Sequence, residues 1–173
     1  MNLDIYRKVM ARIPLLNGLA PEELKTIVRI SRLVKVRENV ALIKEGETGD
    51  AVYFLMDGVA RVFQSSGGKP LGKQLADLTA PNVLGEMALV DGAPRSATIV
   101  TVSQAVLLRV DLEAFNKLRA TFHSGAFKIL RKLALTLCER LDEKFVRFAE
   151  ACEATATSAD PLADLIRSQM PPR

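Results

Sequence analysis

The chain has little to cross-link itself with and little to catalyse with. Of its 173 residues two are cysteine, one is histidine and none is tryptophan. Cys138 and Cys152 are too few for a disulfide framework and lack the paired spacing of a metal site. Half-buried thiols in one predicted helix are expected, and no metal ligands. His123 has no second ligand and no nucleophile near it in sequence, so it is read as a turn residue. No catalytic residue is assigned and an enzyme is not expected. No apolar run approaches the ~20 residues that span a bilayer. Residues 1–8 lack the apolar core and cleavage pattern of a secretion signal. These absences lead to the expectation of a cytoplasmic protein with no membrane partner.

Charge of one sign is scarce as well. The net charge is +4. Residues 1–45 hold nine Lys/Arg and five Asp/Glu, whereas residues 46–173 hold fifteen of each. The basic N-terminal region has no interleaved aromatics and no dense cluster, so a solvated face is expected there rather than a nucleic-acid surface.

What is present suits one globular domain. A chain of this length buries roughly 70% of its unfolded surface and needs no staples. Apolar positions over 3–13 have helical spacing. A second helix is predicted to open at Pro21, a favoured first helical residue, and to run to about Ser31. From Leu33 to Arg109 short β-rich runs recur at 40–44, 51–56, 59–64, 71–76, 97–101 and 105–110. Gly, Asp and Pro turns separate them, with an exposed hairpin tip at Ser65–Pro70. Regular short strands imply a sandwich or barrel, here a β jelly roll. Asp111 is placed to cap a short helix running to Arg119. A long helix then follows from about Gly125 to Cys152. Its apolar stripe is Leu130, Ala134, Leu137, Leu141, Phe145, Phe148 and Cys152, close to a heptad seam with one stutter. A twin helix in a homodimer is the expected cover. Residues 160–167 read as a short amphipathic tail helix, either packed locally or docking another protein.

One stretch carries chemistry. Glu86 and Arg95 stand nine residues apart around a turn that begins at Gly85. Glycine lets backbone N–H groups approach a ligand closely. Arginine offers a planar fork to a phosphate, and an ionised glutamate accepts from hydroxyls. A loop that holds an anion and a hydroxyl together is a plausible nucleotide grip.

The stretch Leu84-Gly85-Glu86-Met87-Ala88-Leu89, with Pro94-Arg95-Ser96-Ala97-Thr98, closely resembles the phosphate-binding cassette of cyclic nucleotide-binding domains. Leu84 replaces the usual phenylalanine. Ile13–Leu19 with Pro21–Leu24 looks like the family's opening helix, and Glu45–Gly58 like its first turn, strand and following turn. At Glu38–Ala41 the usual Pro-Gly turn is missing, so a different turn is expected. The resemblance covers about residues 10–150. It implies a mostly β, α+β fold: a jelly-roll barrel with N-terminal helices and a long C-terminal helix. The parts would be residues 1–33, 34–110 with the cassette at 84–99, 111–152, and 153–173 as linker and tail.

The resemblance also implies a ligand, cyclic AMP in preference to cyclic GMP, and no further cofactor. Arg95 would pair with the cyclic phosphate, helped by the N–H groups of Met87, Ala88, Ser96 and Ala97 and the Ser96 hydroxyl. Glu86 would accept from the ribose 2′-OH. Leu75 and Ala76 would face the base, with Leu141 and Asp142 from the long helix. A sensor that passes binding through that helix to a partner protein is the leading reading. A dimerisation or scaffold protein with a degenerate site is the alternative. The twenty-one residues after Cys152 are too few for a DNA-reading module, so no DNA partner is expected.

Overall fold

The computed structural model describes residues 12–66, 69–90 and 92–155. The helix expected over 3–13, except for its last two residues, lies outside them. So do the tail helix over 160–167 and the Gly67-Gly68 tip. Contacts divide the chain into two compact units, Met1–Lys132 and Leu133–Arg173.

Among the described residues, the first unit is built on eight antiparallel strands. They are β1 (Ser31–Val36), β2 (Ala41–Ile43), β3 (Ala51–Asp57), β4 (Val59–Ser66), β5 (Lys69–Thr79), β6 (Asn82–Leu84), β7 (Thr98–Thr101) and β8 (Ala105–Asp111). They form two four-stranded sheets, ordered β1-β8-β3-β6 and β2-β7-β4-β5. The crossed order is that of a jelly roll. Ile43, Leu55, Ala60, Leu84, Ile99, Ala105 and Leu107 pack as one buried cluster drawn from both sheets. Each large apolar side chain among them contributes roughly 1.5–3 kcal/mol. Alternate residues Val52, Phe54, Leu108 and Val110 are buried too, so the first sheet is covered on both faces. That explains why β3 and β8 read as near-continuous apolar runs.

The six expected runs all fall on strands. Two strands, β1 and β6, were not among them, and the second helix ends earlier than expected. Helix α1 spans Pro21–Arg29 and gives way at Ser31 to β1, which pairs with β8 from Ser31↔Val110 to Val36↔Ala105. The turn after β1 has the unusual form expected. Asn39 takes a left-handed φ of 60°, and its N–H donates to Thr101 O at 2.7 Å. The fully buried Thr101 hydroxyl donates to Arg37 O at 2.6 Å and accepts from the Val40 N–H at 3.0 Å.

Helix α2 covers Leu112–Ala120 with Asp111 at its N-cap. The expected capping bond is absent, because the Asp111 carboxylate is drawn instead to Arg109 at 2.9 Å and Arg32 at 3.3 Å. A full positive charge outcompetes a backbone N–H for the same oxygen. The end of α2 is a Schellman turn: Phe122 N–H donates to Arg119 O and His123 N–H to Leu118 O. Phe122 takes the left-handed position with φ 56°. That conformation costs about 1–2 kcal/mol in an L-residue. Helix α3 follows, Ser124–Thr155.

Glu23 fastens α1 to the start of α3. It is 8% exposed and accepts from Ala20 N–H at 2.7 Å, Ser124 Oγ at 2.6 Å and Lys128 Nζ at 2.8 Å. The Lys128 bond, aided by those from Ser124 and Ala20, lowers its pKa from 4.5 to about 2.

An unfolded Glu23 therefore takes up a proton before the folded one does. Its stabilising effect is whole above pH 4.5 and is lost as pH falls toward 2. Glu23→Gln is expected to destabilise the protein by about 2 kcal/mol at neutral pH. It should also flatten the acid limb of a urea-denaturation profile between those two values.

Candidate functional site

The site forms where the turn before β3 meets the loop after β6. Gly85 ends β6 and takes φ 71°, which tips the chain into a short 3-10 helix, Glu86–Leu89. Ala88 and Leu89 are buried and anchor that helix. Met87, on its outer side, is 41% exposed. Glu86 is half-buried on the same turn.

Arg95 returns toward this turn from the other end of the loop. Its N–H donates to Glu47 O at 2.8 Å and its carbonyl accepts from Gly46 N–H at 2.9 Å. Those two bonds, with the Thr48↔Pro94 bridge, fix the backbone beneath the side chain. The side chain is 7% exposed. Its Nη1 donates to Gly85 O at 3.0 Å and its Nη2 to Ala51 O at 2.5 Å. Asp50 Oδ1 stands 3.9 Å from Nη2, and Asp50 Oδ2 accepts from Arg109 at 2.6 Å. Arg109 also lies over the Tyr53 ring, 5.9 Å from its centroid.

Two glycines make room for this arrangement. A Cβ on Gly85 would stand 2.6 Å from Arg95 Nη1 and 2.7 Å from Ile43 Cδ1. A Cβ on Gly49 would stand 2.8 Å from the Ala88 Cβ and 3.2 Å from Arg95 Cζ. Neither space admits a side chain. A guanidinium has five N–H donors. The two backbone carbonyls engage two of them, which leaves further donors on a side chain mostly shielded from water.

The structure thus brings Gly85, Glu86, Met87, Ala88 and Arg95 onto one loop pair. Ser96 follows Arg95 and is exposed, and Ala97 is half-buried at the mouth of β7. Leu75 and Ala76 lie on β5 and are both exposed, Leu75 at 50%. Leu141 and Asp142 belong to the second unit, where both are exposed. Sequence reasoning missed Gly49, Asp50, Ala51 and Arg109 as parts of the site. The Thr48-Gly49-Asp50-Ala51 turn was the available signal. A carbonyl acceptor such as that of Ala51 has no side-chain signature to find. Among the described residues no group of three His, Cys, Asp or Glu is placed to hold a metal.

Known proteins share the family and fold of this chain. The family model of the cyclic nucleotide-binding domain matches residues 33–122. A cyclic nucleotide-gated potassium channel of Rhizobium etli is 33% identical over 128 residues, 74% of this chain and 34% of the channel. Glutaminase 1 of Bradyrhizobium diazoefficiens is 32% identical over 132 residues, 76% of this chain and 21% of that protein. The chain therefore spans about a third of the first of these relatives and about a fifth of the second. The catabolite activator protein of Thermus thermophilus is 29% identical, with a TM-score of 0.68 over 78% of this chain and 61% of that one. With the matched region covering more than half of its length, the chain belongs to the cyclic nucleotide-binding domain family.

Proposed function

We propose that the chain is a sensor module that binds cyclic AMP in preference to cyclic GMP and passes the binding event through its C-terminal helix to a partner protein. The observation that carries this is the state of Arg95. Its side chain is 7% exposed, and its guanidinium donates to the carbonyls of Gly85 and Ala51. A largely shielded charge with guanidinium donors beyond those two bonds suits an anionic group. Arg95 takes the cyclic phosphate, with the Ser96 hydroxyl and the N–H groups of Met87, Ala88, Ser96 and Ala97. Glu86 accepts from the ribose 2′-OH. Leu75 and Ala76 offer exposed surface on β5 to the base, and Leu141 and Asp142 are the long-helix residues assigned to it. The preference for cyclic AMP rests on the family resemblance.

The role is regulatory rather than catalytic, as the family implies, and the working place is the cytoplasm. No DNA partner is assigned. No described helix is long and apolar enough to cross a membrane. Within the second unit Leu141, Phe145 and Phe148 are 67%, 58% and 62% exposed. That stripe supports a homodimer through the long helix.

Isothermal titration tests the reading. Wild-type protein is expected to bind cyclic AMP more tightly than cyclic GMP. Arg95→Ala is expected to weaken binding by roughly 30-fold to several thousand-fold, the loss of one partner from a buried charge pair. Arg95→Lys keeps the charge and loses the fork, so it should recover little of that loss.

Glu86→Gln retains an acceptor and gives up its charge. Its affinity for cyclic AMP is expected to fall by about 1–2 kcal/mol, with weaker discrimination against the 2′-deoxy analogue. Equal wild-type binding of the two nucleotides would remove Glu86 from the ribose.

Leu137→Glu combined with Phe148→Glu places two charges per chain on the apolar seam. The pair is expected to convert a dimer to a monomer by light scattering at micromolar concentration. A monomeric wild type would refute the seam.

A further inference from the structure

The turn between α2 and α3 is built against its own backbone preference. In a Schellman turn the residue after the C-cap is left-handed, and glycine is its usual occupant. Here that residue is Phe122, with φ 56° and an 82% exposed side chain. The ring adds almost nothing to the core. It stacks on Phe127, in the first turns of α3, with centroids 6.2 Å apart and planes 15° apart. Phe127 is itself 44% exposed. Two aromatic rings therefore make an apolar knob where glycine would hold the turn with less strain. Strain that packing does not use is a pointer to function.

The segment that carries the knob is rich in cations. Residues 114–132 contain five Lys/Arg and no Asp or Glu. Lys117 and Lys128 are engaged by Glu113 and Glu23. Arg119 and Arg131 are exposed and form no ion pair among the described residues. Arg131 lies one helical turn beyond Phe127 and shares its face of α3.

We infer that the Phe122–Phe127 knob is a docking surface for an anionic lipid bilayer. The rings enter the interfacial layer, and Arg119 and Arg131 meet lipid phosphates. Phe side chains on an interfacial surface bury at the headgroup/acyl boundary, and exposed cations near it are drawn to anionic lipid. A stable protein interface needs a broad, shape-matched patch. A bilayer takes a protruding tip without shape matching, and a two-ring knob with a cationic rim suits that better. Contact of this kind is peripheral and reversible, and it requires no spanning helix. It is independent of the nucleotide reading.

Co-sedimentation of the full chain with vesicles tests this. One set is phosphatidylcholine alone and the other contains about one-third phosphatidylglycerol. Wild type is expected to sediment with the anionic set, and less so as salt rises. Phe122→Gly relaxes the turn, because glycine adopts a positive φ freely. It should melt at or above the wild-type temperature while its partitioning falls on the order of tenfold. Arg119→Ser with Arg131→Ser should abolish the preference for anionic vesicles. Unchanged binding by Phe122→Gly, or a lower melting temperature for it, would overturn the proposal. So would a wild type that ignores vesicles, or that binds both sets equally and without regard to salt. Retention on poly-glutamate or single-stranded oligonucleotide without vesicle binding would give the knob to another anionic partner and would overturn it as well.

Discussion

The site depends on one guanidinium held by two carbonyls. Arg95 donates to Gly85 O and Ala51 O, and so ties the loop after β6 to the start of β3. The glycines at 49 and 85 exist in this arrangement as space: any Cβ would fall within 3 Å of an atom already there. Asp50 and Arg109 continue the chain of charge into the first sheet, at β8. Because these bonds are made as the protein folds, the guanidinium is ordered by folding itself.

Much of this was legible in the sequence, and the part that was not has physical reasons. The cassette was readable because its chemistry sits in side chains at fixed spacing: Gly85, Glu86 and Arg95. Five of the six strand runs were readable from β-branched texture between turn residues, and the run at 71–76, which has none, from the turns that bound it. Strand β1 escaped because Arg32 and Lys35 interrupt its apolar pattern and it follows a helix with a single-residue break. Strand β6 escaped because three residues carry no period. Asp111 was read correctly as an N-cap position and wrongly as a capping side chain. Arg32 and Arg109 are close only in the folded sheet, so sequence could not show the competition for its oxygens. Ala51 shows the sharpest limit, since its role lies entirely in its carbonyl.

The helical elements repeat the theme of charge fixing local geometry. Glu23 reaches back to its own helix start and forward to Ser124 and Lys128, so a single carboxylate serves three donors. The same residue completes half of a capping box with alanine at the cap, a position that offers no side-chain oxygen of its own. Helix start and helix junction are thus decided by one group.

Strand β5 has a consequence for solubility. It stands at the end of the second sheet, and of its eleven residues those from Lys73 to Asp77 are all exposed. A long, flat edge of this kind is a template on which foreign strands add and fibrils grow. This edge is neither flat nor neutral. Its pairing with β4 shifts register at Val62/Phe63 and again at Gln64/Ser66. Arg61 grips Asp77 with two bonds of 2.7 and 2.8 Å, which holds β5 to its own neighbour. The irregular register denies an incoming strand a continuous ladder. The register shifts and the Arg61–Asp77 pair therefore both work against edge-to-edge pairing at β5.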